Sequence, residues 1–427
     1  MRSPGVVSPV RPTVHVVGRR LDPAHHNLRD FLTRGAQPHE FHEADSAEAE
    51  AVLAAAGATG AELPVVIDAS TVHAGATVQG LAEAWRIFAR PSRAHYELAV
   101  VGAGPAGLAA AVYAASDGLA TVVAEREVPG GQASHTSLIE NFFGFPDGIG
   151  GAELARLAGR QAERFGAELL ILNGVTGSEL DAGRPPVIRV ASGDEITADI
   201  VLAAPGMDWR RLEVDGVEEL LGRGVYYGAG RSEAAQCGDD DVLVVGAGNS
   251  AGQAVVHLAD AGARVTMVVR GDRLAKSMSA YLVERVESHP AIDIRLRTQV
   301  TAVHGDDDHL GAVTITDADG TSEARRARAL FLCIGGRPRT GWAAGSGVRT
   351  DAAGYILTGP SLLDRGHRPD GWPLDRDPLP LETTVPGLFA AGDVRHGSAK
   401  RVAGAVGEGA MAVALAHRRL EELAAAP

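Results

Sequence analysis

The sequence predicts an α/β protein organised around two dinucleotide-binding units of the Rossmann type. Three observations carry this expectation. At 97–111, ELAVVGAGPAGLAAA runs from an apolar strand through glycines in GxGxxG spacing into an alanine-rich helix. At 242–251, VLVVGAGNSA repeats the pattern. Aliphatic residues are abundant, glycines number 53 and aromatics make up only 4%, as suits tight βα turns in an α/β chain.

Each residue of the first unit has a physical task. Gly102 permits the tight turn, Gly104 lets backbone approach a pyrophosphate, and Gly107 lets the helix pack close to the strand. Pro105 and Ala106 lie between them at the helix start, whose free N–H groups and dipole favour phosphate. A second strand, TVVAE, ends in Glu125, followed by Arg126. A carboxylate there can accept hydrogen bonds from ribose hydroxyls. The second unit has Gly246, Gly248 and Ala251 on the same spacing, with Asn249 and Ser250 between. Gly102 to Glu125 is 23 residues, and Gly246 to Val269 is also 23. Valine thus stands where the first unit has its ribose carboxylate, with Arg270, Arg273 and Lys276 close behind. A missing acid beside cations favours a 2′-phosphate, hence NADP over NAD. The plainer reading of those cations is a solvated helix start. Two such units in one chain imply one bound flavin, FAD, and one exchanging nicotinamide, NADPH, the layout of a flavin-dependent oxidoreductase.

Composition narrows the class further. A length of 427 residues accommodates two or three domains. The formal charge of −14 argues against nucleic acid as a main partner. No apolar run is long enough to span a membrane. The opening segment MRSPGVVSPVRP lacks the apolar core of a signal peptide, and residues 1–12 read as a loose tail. Two cysteines in so long a chain suit a reducing compartment and exclude a disulfide framework, so a cytoplasmic location is expected. There is no GxxxxGK[ST] loop, no HExxH and no paired-CxxC zinc pattern. His25, His26 and His396 read as solvated or capping residues rather than ligands.

Residues 13–90 read in the order strand (Val14–Val17), helix (about 26–34), strand near Phe41, helix (47–56), strand (63–68), and a last helix from about Val78. With Leu63-Pro64 opening an apolar strand, this segment resembles a glutaredoxin- or thioredoxin-like domain, a family that keeps a cis-proline there. The resemblance would place a CxxC between the first strand and helix, where the sequence is GRRLDPAH at 18–25. Without a thiolate this domain cannot exchange disulfides. It reads either as a docking or regulatory module for a protein partner or as a structural unit packed on a dimer.

From residue 97 to about 420 the chain resembles low-molecular-weight thioredoxin reductases. The marks are GAGPAG, then Pro129-Gly130-Gly131-Gln132, then IENFFGFP at 139–146, and Ala390-Ala391-Gly392-Asp393-Val394 near the end. The resemblance implies that Gly131, Gln132 and Asn141 hold the flavin. It implies that Asp393 beside Gly392 contacts the ribityl chain, and that Lys400, Arg401 and Val402 lie beside the flavin ring. It further implies a homodimer whose flavin domain, 97–213 and 339–427, is split by a nicotinamide domain at 214–338. Arg211 and Thr340 would flank hinge segments.

The chain departs from that family at one chemical point. The family's CxxC pair would end near Ser232, where the sequence YYGAGRSE at 226–233 has no cysteine, and Glu233 stands for the family's neighbouring aspartate. Cys237 reads either as a reactive single thiol or as a surface-loop residue. Cys333 reads as a small core residue in a buried strand. No side chain stands out as a catalytic acid or nucleophile. Electrons arriving at the flavin would therefore leave to an unidentified acceptor: a small molecule, a quinone, dioxygen or a partner protein. Alternatives are a ferredoxin– or flavodoxin–NADP reductase-like enzyme, a flavin-dependent oxidase of external dithiols, or a redox-quiet flavin-binding sensor or scaffold. An insertion at 360–381, rich in Pro, Asp and Arg, reads as a cover over the flavin, a dimer contact or a surface excursion.

Overall fold

A computed structural model describes residues 12–69, 71–180, 184–228, 237–306 and 309–425. The N-terminal unit contains β1 (Val14–Gly18), α1 (Pro23–Arg34), β2 (His39–Glu43), α2 (Ala47–Ala55), β3 (Val65–Asp68), β4 (Thr71–His73) and α3 (Val78–Ala84). Its sheet order is β2-β1-β3-β4, with β1 parallel to β2 and the other pairs antiparallel. The Leu63–Pro64 peptide is cis. Strand β4 is absent from the sequence reading, because three residues are too few to display an alternating pattern. Helix α1 starts three residues before His26. The Asp22 carboxylate accepts from the Ala24 and His25 N–H groups, and Pro23 takes the first helical position, where no N–H is needed. Val14, Val16, Leu28, Leu32, Val66 and Leu81 fill one face of the sheet, and Val17, Ala49, Val65 and Ile67 the other.

The next sheet is built from β5 (His95–Val101), β6 (Thr121–Ala124), β7 (Glu168–Leu170), β8 (Val175–Glu179), β9 (Val187–Val190) and β10 (Glu195–Ala203), with helices α4 (Pro105–Ser116) and α5 (Gly151–Phe165). Its order is β7-β6-β5-β10-β9-β8. The chain then leaves through β11 (Met207–Trp209) and forms a second sheet. That sheet comprises β12 (Val225–Tyr227), β13 (Asp241–Val245), β14 (Arg264–Val269), β15 (Ile292–Leu296) and, beyond an antiparallel ladder of β16 (Thr298–Asp306), β17 (His309–Asp317) and β18 (Ser322–Arg326), β19 (Ala329–Leu332). All neighbours in the order β12-β19-β13-β14-β15 are parallel. Helices α6 (Asn249–Asp260) and α7 (Ala280–Ser288) belong to it. The chain returns through β20 (Gly336–Pro338), which pairs antiparallel with β11, so the outgoing and returning crossings are zipped together. Strand β21 (Leu388–Ala390) then rejoins the first sheet beside β10, and α8 (Val402–Ala424) closes the chain. Strands β5, β6, β10 and β13 are apolar and buried throughout most of their length, as parallel strands covered on both faces must be.

Two features place these units around one site. First, α1 touches both dinucleotide units. Arg34 pairs with Glu127 at 2.7 Å and donates to the Ser134 hydroxyl at 3.1 Å, while the His26 ring lies 4.7 Å from that of Tyr226. Second, the 360–381 insertion packs away from the site. Leu379 and Leu381 join the core of α4 and α8, and Arg376 reaches Glu382 at 2.7 Å and Glu422 at 2.6 Å. Ser232 and Glu233, at the positions of the family's second relay cysteine and its neighbouring aspartate, lie outside the described residues.

Candidate functional site

The two glycine turns face a shared cavity of about 1040 Å³, at the upper end of the range for ligand pockets. Gly102 has φ +97° and Gly246 φ +147°. A Cβ at either would lie 2.5 Å from the Ala204 carbonyl oxygen or 2.4 Å from that of Cys333, so each strand crosses its neighbour too closely for any side chain. Gly107 serves packing instead, for a Cβ there would lie 1.9 Å from the Gly102 oxygen. Helices α4 and α6 begin at Gly104 and Gly248 with no side-chain cap, which leaves their first N–H groups open to an anionic ligand. This uncapped pair, together with the glycine cradle, fits the pyrophosphates of two dinucleotides.

Of the residues singled out from sequence, Gly102, Gly104, Pro105, Ala106, Glu125, Arg126, Gly131, Gln132 and Asn141 line the cavity from the first half of the chain. Gly392, Asp393, Lys400, Arg401 and Val402 line it from the end. Gly246, Gly248, Asn249, Ser250 and Arg270 line it from the second unit. Three do not. Gly107 and Ala251 lie in helix–strand contacts, Ala251 fully buried. Arg273 is exposed and off the cavity wall, a correction to its expected role. It precedes a 3₁₀ turn whose Leu274 inserts into the core, and this anchors the segment with the arginine outside. Lys276 is taken up by Asp272 at 2.7 Å.

The environment of each charged group follows from its burial. Glu125 is buried, and its two carboxylate oxygens accept from the Ala103 N–H at 2.7 Å and the Glu127 N–H at 2.9 Å. Desolvation still raises its pKa. Each oxygen keeps a second lone-pair direction for a hydroxyl. Glu127 is also desolvated, yet Arg34 and Arg126 hold it below the usual carboxylate range. Burial pushes Asp393 up and Lys400 down; each charge partly relieves the other. The Lys400 ammonium donates to the Asp393 carbonyl and sits 4.2 Å from the centre of the Tyr355 ring. Gln132 donates to the Met207 carbonyl at 3.0 Å, which ties its turn to β11. Asn249 is fixed by a reciprocal pair of bonds with Ser279, at 3.0 and 2.8 Å.

Other cavity residues escaped the sequence reading. Asp30 and Arg34 come from α1 of the N-terminal unit, His135 from the 3₁₀ turn at 131–135 and Trp209 from β11. The His135 ring meets Trp209 edge-on at 5.8 Å and its Nδ1 lies 3.6 Å from the Asp30 carboxylate. No motif marks them, because they converge only when three chain segments pack. Cys237 is another correction. It is buried in the core of the second sheet rather than exposed on a loop. Cys333 is buried as expected, and its thiol is pushed up to about 12 by desolvation. It follows β19 rather than lying within it.

Residues 96–409 match the pyridine nucleotide-disulphide oxidoreductase family, and the chain belongs to that family. It is an FAD- and NAD(P)H-dependent oxidoreductase with the α/β architecture of thioredoxin reductases. It is 33% identical over 329 residues to the thioredoxin reductase of Bacillus subtilis, covering 77% of this chain and 96% of that one. It is likewise 33% identical over 347 residues to the thioredoxin reductase of Neurospora crassa, covering 77% and 94%. Among solved structures, Lactococcus lactis thioredoxin reductase superposes with a TM-score of 0.67 at 30% identity, covering 77% of this chain and 99% of that one.

Proposed function

We propose that this protein oxidises NADPH through FAD and delivers the electrons to a non-disulfide acceptor, with no redox disulfide of its own in between. The observation that carries this reading is the state of its two cysteines. Both are buried, at opposite ends of one parallel sheet. Cys237 precedes β13, whereas the Cys333 N–H bonds to the carbonyl of Val245 at the far end of that strand, 2.8 Å away. The strand between them rises about 13 Å at roughly 3.3 Å per residue, well beyond the Cα separation of about 7 Å that a disulfide tolerates.

FAD, when bound, supplies the two-electron redox chemistry. In our reading Gly102, Gly104, Pro105 and Ala106 receive its pyrophosphate, Glu125 and Arg126 its ribose. Gly131, Gln132, Asn141, Gly392, Asp393, Lys400, Arg401 and Val402 orient the remainder. Gly246, Gly248, Asn249 and Ser250 receive the nicotinamide cofactor's phosphates, with Arg270 set for the 2′-phosphate. The acceptor is a small molecule, a quinone, dioxygen or a partner protein. The thioredoxin-like reading of residues 13–90 is supported by the βαβαββα order and the cis Leu63–Pro64 peptide. The burial of Arg34 against Glu127 and Ser134 supports a structural role for its α1, which leaves the sheet edge for any protein partner. A homodimer in the cytoplasm completes the proposal; no helix among the described residues is long and apolar enough to cross a membrane.

The test is anaerobic reduction of the FAD-loaded protein with NADPH, followed by a screen of acceptors. Bleaching by NADPH and reoxidation by a quinone, dioxygen or another non-disulfide acceptor is expected. Reoxidation by protein disulfides alone would overturn the reading.

A further inference from the structure

The N-terminal sheet carries a second cluster of ligating side chains, separate from the cavity. Strand β1 runs parallel to β2 with His15 opposite Glu40, and His42 follows Glu40 by two residues. Paired residues and residues two apart share a sheet face, so all three side chains emerge together. The His15 Nδ1 atom lies 3.1 Å from His42 Nε2 and 3.4 Å from a Glu40 carboxylate oxygen. All three ligand atoms lie within 4.8 Å of one another.

We propose that His15, Glu40 and His42 bind one divalent ion of the zinc class. Ligands held at about 2.0–2.2 Å from zinc with tetrahedral angles are separated by roughly 3.3–3.5 Å. The His15–Glu40 edge of 3.4 Å meets that spacing, and the His15–His42 edge of 3.1 Å needs only a small opening to reach it. Two imidazoles and one carboxylate form a borderline donor set, which selects zinc, copper or nickel over calcium and magnesium, whose sites are built from oxygen. Three protein ligands leave a fourth position for water or another donor. The site is reachable from solvent, since His15 is 39% and Glu40 62% exposed at the side chain. Glu48, in the first turn of α2, lies close enough to His42 to add its negative charge to the field there. Without the ion, the two rings share one hydrogen bond, which requires a proton on one of the facing nitrogens. On binding, that proton moves to the far nitrogen of its own ring and the metal takes its place. None of the three residues lines the dinucleotide cavity, so the ion is no part of the redox site.

The experiment is a titration of the purified, FAD-loaded full-length protein with Zn²⁺ by calorimetry, and with Co²⁺ by visible absorption beyond the flavin band. One ion per chain is expected, with Co²⁺ bands of a nitrogen- and oxygen-ligated site. His42→Ala should weaken zinc binding by about tenfold or more, at least as much as the loss of an outer-shell partner. Glu40→Gln, an isosteric change at an exposed position, should weaken it as well. NADPH-driven flavin reduction should be unchanged in both. Absence of zinc binding by the unmutated chain would overturn the assignment. So would undiminished affinity in Glu40→Gln together with His15→Ala.

Discussion

The two glycine turns are built alike and end differently. Gly102 and Gly246 both take positive φ, both abut a carbonyl of the next strand, and both lead into an uncapped helix. Twenty-three residues later they diverge. The first unit presents the buried carboxylate of Glu125, already locked to two backbone N–H groups. The second presents Val269, 1% exposed, with Arg270 beside it on the cavity wall. The phosphate-binding frame is therefore a property of backbone geometry shared by both units. In the proposed function, discrimination between cofactors would rest on a single strand end, where one unit offers an acceptor and the other a cation.

The largest effects should come from breaking the shared frame. Valine at Gly102 or Gly246 adds a β-branched side chain at a positive φ and a clash with the crossing carbonyl, and the backbone strain alone is about 1–3 kcal/mol. Gly102→Val should lose FAD, read as flavin absorbance per chain. Gly246→Val should remain yellow but no longer bleach with NADPH. If each variant loses both ligands equally, the units are not separate sites.

The next effect tests the divergent ends. Arg270→Ala should cut NADPH affinity by a charge-assisted phosphate contact, roughly 1.5–3 kcal/mol or about ten- to a hundredfold, while NADH affinity changes little. Titration of both cofactors against flavin fluorescence measures it; equal affinity for NADPH and NADH before mutation would show that Arg270 does not read the 2′-phosphate.

Glu125→Gln should have a comparable or smaller effect. The amide has a single acceptor oxygen, so one of the N–H groups of Ala103 and Glu127 loses its partner, at about 1–3 kcal/mol. Burial raises the Glu125 pKa in the folded state. That group's contribution to stability is therefore greatest below its unfolded pKa near 4.3 and falls as pH rises through the raised folded value. Glutamine does not ionise, so denaturation midpoints of the variant should lack that part of the decline. An identical pH profile in both proteins would mean that Glu125 is ionised without cost.

Much of this arrangement was legible because it is local. Gly102 and Gly246 announce themselves by spacing, since a tight βα turn imposes residue types within six positions. Asp22-Pro23 also carries its cap signal in two adjacent residues, although the periodic pattern placed the start of α1 later. The cavity's other wall is non-local. Arg34, Glu127 and Ser134 meet across about a hundred residues of chain, and Asp30 finds His135 in the same way. No period or motif encodes such meetings. Proximity in sequence to Arg270 does not bring Arg273 to the cavity, because the buried Leu274 keeps that segment off the wall. Cys237 shows the converse. It does lie in the loop before β13, but its side chain is buried in the core of the second sheet.

The smallest expected effect concerns these cysteines. A disulfide relay needs a thiolate to attack and a second thiol to resolve the mixed disulfide. Cys333 is held as a thiol by desolvation, with its pKa near 12, and at neutral pH contributes almost no thiolate. Cys237 is buried at the opposite end of β13. Alanine at both positions removes each sulfur and leaves small core residues, so NADPH-to-quinone turnover should stay within about twofold of the unmutated rate, under 0.5 kcal/mol in the barrier. The same pair of proteins should be assayed with thioredoxin as acceptor. Thioredoxin turnover by the unmutated chain that disappears in the double-alanine variant would place electron transfer on one of these sulfurs. Equal behaviour of the two proteins with both acceptors would show that the second dinucleotide unit keeps its cofactor site without any thiol relay.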